Sequence, residues 1–313
     1  MTRESLQALI NDFSDASPLN YLPKSSGETA PESEYESDNF AKNNLIKAGA
    51  DADMYASLEA DGVAGMRFYQ HPIFSVTRAD AAGFDEIRRA EVVGSHHMMP
   101  SDWLPSAKTV ISFFLPYERR IVEANKVDAL EPAVEWLYAR VDGQRFLLAL
   151  GTMVCQKLRA EGYNAIAPYT EDGYIMQTSP VAAPGTEHVP PYNTNWSERH
   201  VGVVSGLGTF GKSTNFISRI GCAGRLISIV TDWEIEADVP DYTDWLGYCN
   251  DCGACVRRCP AQAHFADHHG KDHAQCSAYI GKVCAKYDHR YGCGKCQSGI
   301  PCEYAPMRRK TGA

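Results

Sequence analysis

Hydrophobic positions near the N-terminus recur at helical spacing. Leu6, Ile10 and Phe13 stand three or four residues apart, so residues 1–20 are predicted to form a short amphipathic helix. The same periodicity predicts helices over 40–61 and 132–161.

Three short apolar runs, rich in β-branched and aromatic residues, predict buried strands. They are KTVISFFLP (108–116), NAIAP (164–168) and RLISIVTD (225–232). Gly143 and Gly151 interrupt the preceding helical stretch and are predicted to be breaks or points of close packing. Because helices alternate with strands before residue 240, the pattern predicts a layered α/β structure.

Two changes in composition divide the chain. Residues 24–39, KSSGETAPESEYESDN, are acidic and rich in Ser, which indicates a solvated linker or surface loop. From about residue 243 the chain becomes rich in Cys, Gly and His. We therefore predict an N-terminal extension (1–64), an α/β domain (65–242) and a small cysteine-rich domain (243–313).

The net charge of −9 over 313 residues argues against a broad nucleic-acid interface, which requires a basic face. The sequence has no apolar run long enough to span a membrane, and its first residues lack the apolar core of a signal peptide. We therefore expect no membrane association and a cytoplasmic location, where thiolates stay free to bind metal.

The most specific pattern is Cys249-x2-Cys252-x2-Cys255-x3-Cys259-Pro260. It is the bacterial ferredoxin run, in which three thiolates hold one [4Fe–4S] cluster and the fourth binds a second cluster. A further run, Cys293-x2-Cys296-x5-Cys302, lies downstream. A zinc ribbon is the alternative, but it needs only four ligands and does not require the 2-2-3 spacing.

The spacing assigns most ligands of two predicted clusters. One cluster takes the first three cysteines and, most simply, the last one: Cys249, Cys252, Cys255 and Cys302. The other takes Cys259, Cys293 and Cys296, and either Cys276 or Cys284 completes it. Cys155 and Cys222 lie outside the cysteine-rich domain and are expected to be small buried hydrophobic residues.

Residues 206–213, GLGTFGKS, fit both the phosphate-binding P-loop and the dinucleotide-binding fingerprint. The run HVGVV (200–204) before them could be a strand. Only NFISRIGCAG separates them from the next predicted strand, which is short for a crossover helix. A glycine-rich turn that packs closely against a large group is therefore favoured over a nucleotide site. A nucleotide-driven electron pump that uses this loop remains an alternative function.

The chain resembles the epoxyqueuosine reductases and the related reductive dehalogenases. The resemblance rests on WLPSAKTVISFFLPY (103–117), YARVDGQRF (138–146), SERHVGVVSGLGTFGKSTNFI (197–217) and the cysteine runs. It implies an α/β (α+β) cobamide-binding domain followed by a ferredoxin-like domain with two [4Fe–4S] clusters. It also implies that Cys276, which is followed by Tyr279, completes the second cluster, and it leaves Cys284 unassigned.

The resemblance implies further site residues by motif position. Those expected to bind the cobamide are Gln144, Arg145, Arg199, Gly206, Gly208, Gly211 and Thr214. Gln144 and Arg145 replace the Tyr-His pair that the family usually has. Tyr192 stands where epoxyqueuosine reductases have a catalytic Asp, and it is the expected proton donor because related dehalogenases use a tyrosine.

These features predict an iron–sulfur oxidoreductase. A flavodoxin or ferredoxin is the expected electron donor, and electrons pass through both clusters to a cobamide that reduces a small electrophilic molecule. A tRNA substrate is not expected, because the chain is acidic and ends soon after the clusters with only Arg308, Arg309 and Lys310 as a basic stretch. The alternative is a cobamide-free electron-transfer protein with two clusters.

Overall fold

The computed structural model describes residues 1–35, 52–287 and 290–308. Most of the helix predicted over 40–61, the end of the acidic linker, Arg309 and Lys310 lie outside the described residues. Within the described part, residues 24–35 contain no helix or strand, as predicted for a surface loop.

Helices and strands alternate along the chain. The α-helices are α1 (Arg3–Ala16), α2 (Gly83–Ile87), α3 (Pro100–Trp103), α4 (Arg119–Val127), α5 (Val134–Val141), α6 (Gly143–Ala160), α7 (Glu198–Val204), α8 (Ala254–Arg257) and α9 (His273–Lys286). The strands are β1 (Ile73–Arg78), β2 (Thr109–Pro116), β3 (Ala165–Ile166), β4 (Gly208–Phe210), β5 (Phe216–Ser218) and β6 (Gly224–Thr231). Short 3-10 helices cover Pro18–Asn20, Ala52–Tyr55 and Pro168–Thr170.

The main sheet has the order β1-β2-β6-β3, and every neighbouring pair is antiparallel. In the central pair Phe113 lies opposite Ile227 and Ser112 opposite Ser228. All eight residues of β2 are buried, as the continuous apolar run predicts. The predicted mixture of helices and strands is confirmed. The strands of the main sheet are antiparallel.

Helices pack on both faces of strand β6 through glycines. A Cβ atom at Gly151 of α6 would lie 2.7 Å from Ile227, and one at Gly202 of α7 would lie 3.5 Å from Leu226. Leu226 and Ile227 are neighbours in a strand, so their side chains point to opposite faces. The role predicted for Gly151 as a close packing point is therefore confirmed.

The N-terminal helix belongs to the same core. Leu6 and Ile10 of α1 are fully buried in the main hydrophobic cluster. Thr2 and Ser5 form a capping box that fixes the start of the helix. Among the described residues, none of the helices has the length and apolar character needed to cross a bilayer.

Two sequence predictions fail locally. Residues 200–204 lie in helix α7 rather than in a strand, because a short apolar run does not distinguish the two. Strand β1, with four buried residues between Ile73 and Arg78, was not predicted. By contrast, the helical stretch predicted over 132–161 is divided into two helices at Gly143, which begins the second one and was predicted as a break.

Polar contacts attach the cysteine-rich part to the C-terminal end of α4. The Lys295 ammonium donates to the carbonyl oxygens of Asn125 and Asp128, at 2.8 and 2.9 Å. The Arg258 guanidinium donates to the carbonyl oxygens of Asn125 and Lys126, at 3.2 and 2.8 Å. Cations at this end satisfy the last carbonyl groups of the helix and interact favourably with its dipole.

Candidate functional site

Four cysteines surround a small cavity near the surface. We call Cys249, Cys252, Cys255 and Cys302 the outer thiol group, and the cavity that they line the thiol cavity. Cys252 is exposed, whereas Cys249 is buried. Cys296 also borders the cavity. The structure therefore brings together the four thiols that the spacing predicts for the first cluster.

A second group of thiols, Cys259, Cys276, Cys293 and Cys296, forms what we call the inner thiol group. Burial raises the pKa of Cys293 to about 12, and the nearby charges of Cys296, Cys259 and Cys276 raise it further. Burial likewise raises the pKa of Cys296 to about 11, with added contributions from Cys276 and Cys259. The electrostatic influence of Cys259 and Cys276 on both Cys293 and Cys296 links these four thiols into one group. Cys284 lies eight residues beyond Cys276 on helix α9.

Cys222 lies beside the outer thiol group, although it comes from the chain just before strand β6. Its Sγ atom is 3.9 Å from the Sγ of Cys302, and its backbone N–H donates to the Cys302 carbonyl at 3.0 Å. Cys155 is buried in helix α6, and burial raises the pKa of its thiol to about 12. Cys155 thus fits the prediction of a buried hydrophobic residue, whereas Cys222 has a thiol neighbour.

The glycine-rich segment is a turn and a hairpin between two cavities. Gly206 has a φ of 80° in the turn after α7, and a Cβ atom at Gly208 would lie 2.1 Å from the carbonyl oxygen of Ile217 in the facing strand. These two glycines are required by the local backbone, and neither is among the described residues that line the thiol cavity or the larger cavity described below. Gly211 borders both cavities, so residues 211–215, which we call the dividing loop, separate them.

The P-loop interpretation is wrong. A P-loop joins a strand to a helix, whereas here helix α7 precedes the glycines and strands β4 and β5 flank the loop. Lys212 is buried and pairs with Asp251 at 3.0 Å, so its charge is already used within the protein.

A large cavity lies on the other side of the dividing loop. It has a volume of about 630 Å³, within the usual range for ligand sites. Apolar side chains form part of its wall, among them Val92, Val93, Phe210, Leu246 and Ile280. Cys276 of the inner thiol group also lines it, so the inner thiols lie next to this cavity.

Three cationic side chains line the large cavity: Arg140, Arg199 and Lys271. Among the described residues that line it there is no Asp or Glu. Burial lowers the pKa of Lys271, and the charge of Arg199 lowers it further, while the thiols of the inner group act in the opposite direction. Lys271 therefore interacts electrostatically with both Arg199 and the inner thiols, and it lines the same cavity as Arg199 and Cys276.

Histidines add hydrogen-bonding groups to the wall. His200, His269 and His273 line the cavity. Burial lowers the pKa of His200 to about 3, and the charge of Arg199 lowers it further, so this imidazole is neutral at pH 7. Its Nδ1 atom lies 2.7 Å from the Ser197 hydroxyl, which fixes the orientation of the ring.

Tyr192 and Thr214 line the cavity, and each has a strained backbone conformation. Both have a φ of 59°, a conformation that side chains other than glycine rarely adopt. The Arg199 guanidinium donates to the Thr214 carbonyl at 2.9 Å and so stabilises the backbone conformation of Thr214. Such strain is frequent at functional sites. The Tyr192 ring lies 5.8 Å from the His273 ring.

Gln144 and Arg145 are not among the described residues that line the large cavity. Gln144 is fully buried, and its side-chain oxygen accepts a hydrogen bond from Arg225. Arg145 donates to the carbonyl of Pro31 at 2.7 Å. The expectation that both bind a cofactor is therefore corrected: one supports the sheet and the other holds the N-terminal segment. Arg199, Gly211 and Thr214 do lie at the cavity.

Sequence reasoning missed Lys271, His200, His273 and the pairing of Cys222 with Cys302. His200 directly follows the Glu198-Arg199 pair, and Lys271 and His273 lie shortly before Cys276, so their positions next to recognised residues were the available signal. Lys271 reaches the cavity because it precedes helix α9, which also carries Cys276.

The donor chemistry of the two thiol groups fits iron–sulfur clusters. Cubane clusters are held by four cysteine thiolates each, and the described residues supply two groups of four. Within the described residues, no group of three or more His, Cys, Asp or Glu side chains lies close enough to hold a single metal ion. For a large polar cofactor, the large cavity offers apolar surface, three cations and neutral imidazoles.

Several solved structures are similar to this chain. A selenomethionine-labelled epoxyqueuosine reductase is 18% identical with a TM-score of 0.45, covering 76% of this chain and 65% of that one. The enzyme of the same name from Streptococcus thermophilus is 18% identical with a TM-score of 0.43, covering 82% and 68%. A reductive dehalogenase, described with a mechanism for B12-dependent dehalogenation, is 15% identical with a TM-score of 0.41, covering 88% and 34%.

The structural neighbours are therefore epoxyqueuosine reductases and reductive dehalogenases, the two groups that the sequence motifs resemble. The chain spans just under two thirds of the first reductase and about a third of the dehalogenase. No family model matches the chain, and no curated protein matches it.

Proposed function

We propose that this protein is an iron–sulfur reductase that delivers electrons through two [4Fe–4S] clusters to a cobamide and a small electrophilic substrate in the large cavity. The single observation that carries the proposal is the placement of the two thiol groups. The outer group reaches the surface at Cys252, and the inner group borders the large cavity at Cys276.

This arrangement supports one direction of electron flow. An electron donor such as a flavodoxin or ferredoxin would approach the exposed Cys252. Cys296 borders the thiol cavity and belongs to the inner group, so the two groups adjoin there. When bound, the clusters would supply one-electron transfer and the cobamide would supply the site of substrate reduction.

The residues of the large cavity would bind and orient these ligands. Arg199 and Lys271 would hold negatively charged groups, since no carboxylate among the described lining residues competes for them. Gly211 and Thr214 would form the wall on the side of the clusters. The apolar side chains would exclude water from the reacting groups.

Tyr192 is the proposed proton donor. Its side chain lines the large cavity, and a phenol there can deliver a proton to a bound substrate. The strained φ at Tyr192 indicates that the surrounding chain holds it in this place. Replacement by Phe is expected to abolish substrate turnover without loss of bound cofactor.

A cobamide-free electron-transfer protein is the second candidate. The bordering cavity of about 630 Å³ disfavours it, because a carrier that only passes electrons to a partner needs no such cavity beside its inner thiols.

Anaerobic reconstitution tests the proposal. The full chain is expected to take up about eight iron and about eight sulfide ions per molecule, as two cubanes require. Added cobalamin is expected to bind with a shift of its visible bands, and Arg199→Met to weaken that binding at least tenfold. Uptake of zinc without acid-labile sulfide would contradict the clusters, and unshifted cobalamin bands would leave the second candidate.

A further inference from the structure

Cys222 and Cys302 are held side by side by the backbone around them. Besides the backbone hydrogen bond from Cys222 to Cys302, the N–H of Ala223 donates to the carbonyl of Glu303 at 3.3 Å. The Gln297 side-chain amide donates to the Cys222 carbonyl at 2.7 Å. Two chain segments from different parts of the sequence are thus in register, and their thiols face each other.

A glycine makes this approach possible. Gly221, just before Cys222, has a φ of 101°, and a Cβ atom there would lie 2.3 Å from the carbonyl oxygen of Glu303. Cys222 itself is only 1% exposed. The backbone therefore holds the two cysteines next to each other.

The two sulfur atoms are close enough to compete for one iron. A cubane cluster is held by four thiolates, one at each iron, so either of two neighbouring cysteines can fill a given position. The Cys222 and Cys302 sulfur atoms lie 3.9 Å apart. A metal bound by Cys302 is consequently within reach of Cys222 after a small side-chain movement.

We propose that Cys222 is a reserve ligand of the outer cluster that can replace Cys302 at its iron. The inference rests on the proposed clusters. In the exchange, the Cys222 thiol releases its proton and forms a bond to iron, while the bond from iron to Cys302 breaks and the Cys302 thiolate takes up a proton. No electron is gained or lost, so the exchange needs no oxidant.

The experiment measures iron in anaerobically reconstituted full-length variants. Cys252→Ala removes an outer ligand and is expected to lose about half of the iron, which is one cluster. Cys302→Ala is expected to keep nearly all of its iron, because Cys222 takes the vacant position. The double variant Cys222→Ala/Cys302→Ala is expected to lose about half, and Cys222→Ala alone to lose none.

A second double variant separates ligand loss from misfolding. Cys155→Ala/Cys302→Ala removes an equally buried thiol from helix α6 and is expected to keep its iron. The inference is overturned if Cys302→Ala loses as much iron as Cys252→Ala, or if both double variants lose iron equally. A wild-type chain that takes up no iron and sulfide would overturn the proposed function as well, so the two failures are distinguishable.

Discussion

The sheet-containing body (residues 1–242) and the cysteine-rich segment (residues 243–308) are stabilised in different ways. The body contains a continuous hydrophobic cluster from α1 through the sheet to α6. In the described part of the segment, the buried hydrophobic residues are few: Tyr248, Cys249, Ala263, Val283 and Ile300. A chain with so little buried apolar surface gains little from the hydrophobic effect.

Polar contacts hold the segment on the body where it has few buried hydrophobic residues of its own. Lys295 is fully buried and contacts the end of α4, and Asn215 of the dividing loop donates to the Cys296 carbonyl at 2.7 Å. A Cβ atom at Gly294 would lie 1.9 Å from Trp136, so the segment also packs directly on the body. We infer that the body folds by apolar burial, whereas the segment depends on the proposed clusters.

Removal of the clusters should have the largest effect. When iron is removed anaerobically with a chelator, amide hydrogens in the segment are expected to exchange at least tenfold faster, because few apolar contacts remain to hold it. Amides of β2 and β6 are expected to stay protected. Hydrogen exchange followed by mass spectrometry measures both, and equal loss of protection in the two regions would contradict the division.

A substitution in the hydrophobic core of the body is the matched control. Ile229 is fully buried in β6, and Ile229→Ala is expected to lower the free energy of unfolding of the body by about 2–5 kcal/mol. Iron content should stay unchanged at a temperature where the body remains folded.

Loss of one polar anchor should have a smaller effect that is confined to the segment. Lys295→Met leaves the carbonyl oxygens of Asn125 and Asp128 without this donor, at a cost of about 1–3 kcal/mol. Because Lys295 lies between Cys293 and Cys296, the variant is expected to release iron faster than the wild type when a chelator is added. Lys282→Met, an exposed lysine of the same segment, is the control and should release iron at the wild-type rate.

The strands of the body could be predicted from the sequence only where their apolar pattern is continuous. Strands β2 and β6 are fully or largely buried, so their composition distinguishes them. Strand β1 escaped because polar Ser75 and Thr77 interrupt its apolar residues although both are buried. Helix α7 was mistaken for a strand because its apolar run is only as long as a strand.

The residues of the candidate site also fall into those that the sequence predicts and those that it does not. Cysteine spacing predicts the outer thiol group because cluster geometry constrains neighbouring ligands. Lys271 and Cys222 are brought to the site by tertiary packing, and no local spacing encodes that. The glycines at 206 and 208 match a ligand-binding pattern, yet the hairpin itself requires them.

The last expected effect, which shows only as a difference between two pH values, concerns Glu198, a buried acid of the body at the start of helix α7. Both of its carboxylate oxygens are inaccessible to solvent and lack a partner in good hydrogen-bond geometry, although the Ser228 hydroxyl lies near enough to moderate the effect of burial. Burial raises the pKa of Glu198 from 4.5 to about 7. The stability of the body should therefore depend on pH through Glu198, independently of the thiol groups.

The sign of the response follows from proton binding. Between pH 4.5 and about 7 the folded chain retains a proton on Glu198 that the unfolded chain has lost, so stability decreases as pH rises through this window and stays lower above it. In Glu198→Gln this loss is absent, so the variant should gain about 2–3 kcal/mol over the wild type between pH 4.5 and pH 8. Buried His97 and His200, whose pKa values burial lowers to about 3, oppose the trend equally in both chains. Urea unfolding of both proteins at the two pH values measures the difference; a gap that does not change with pH would mean that the ionised carboxylate has a partner after all.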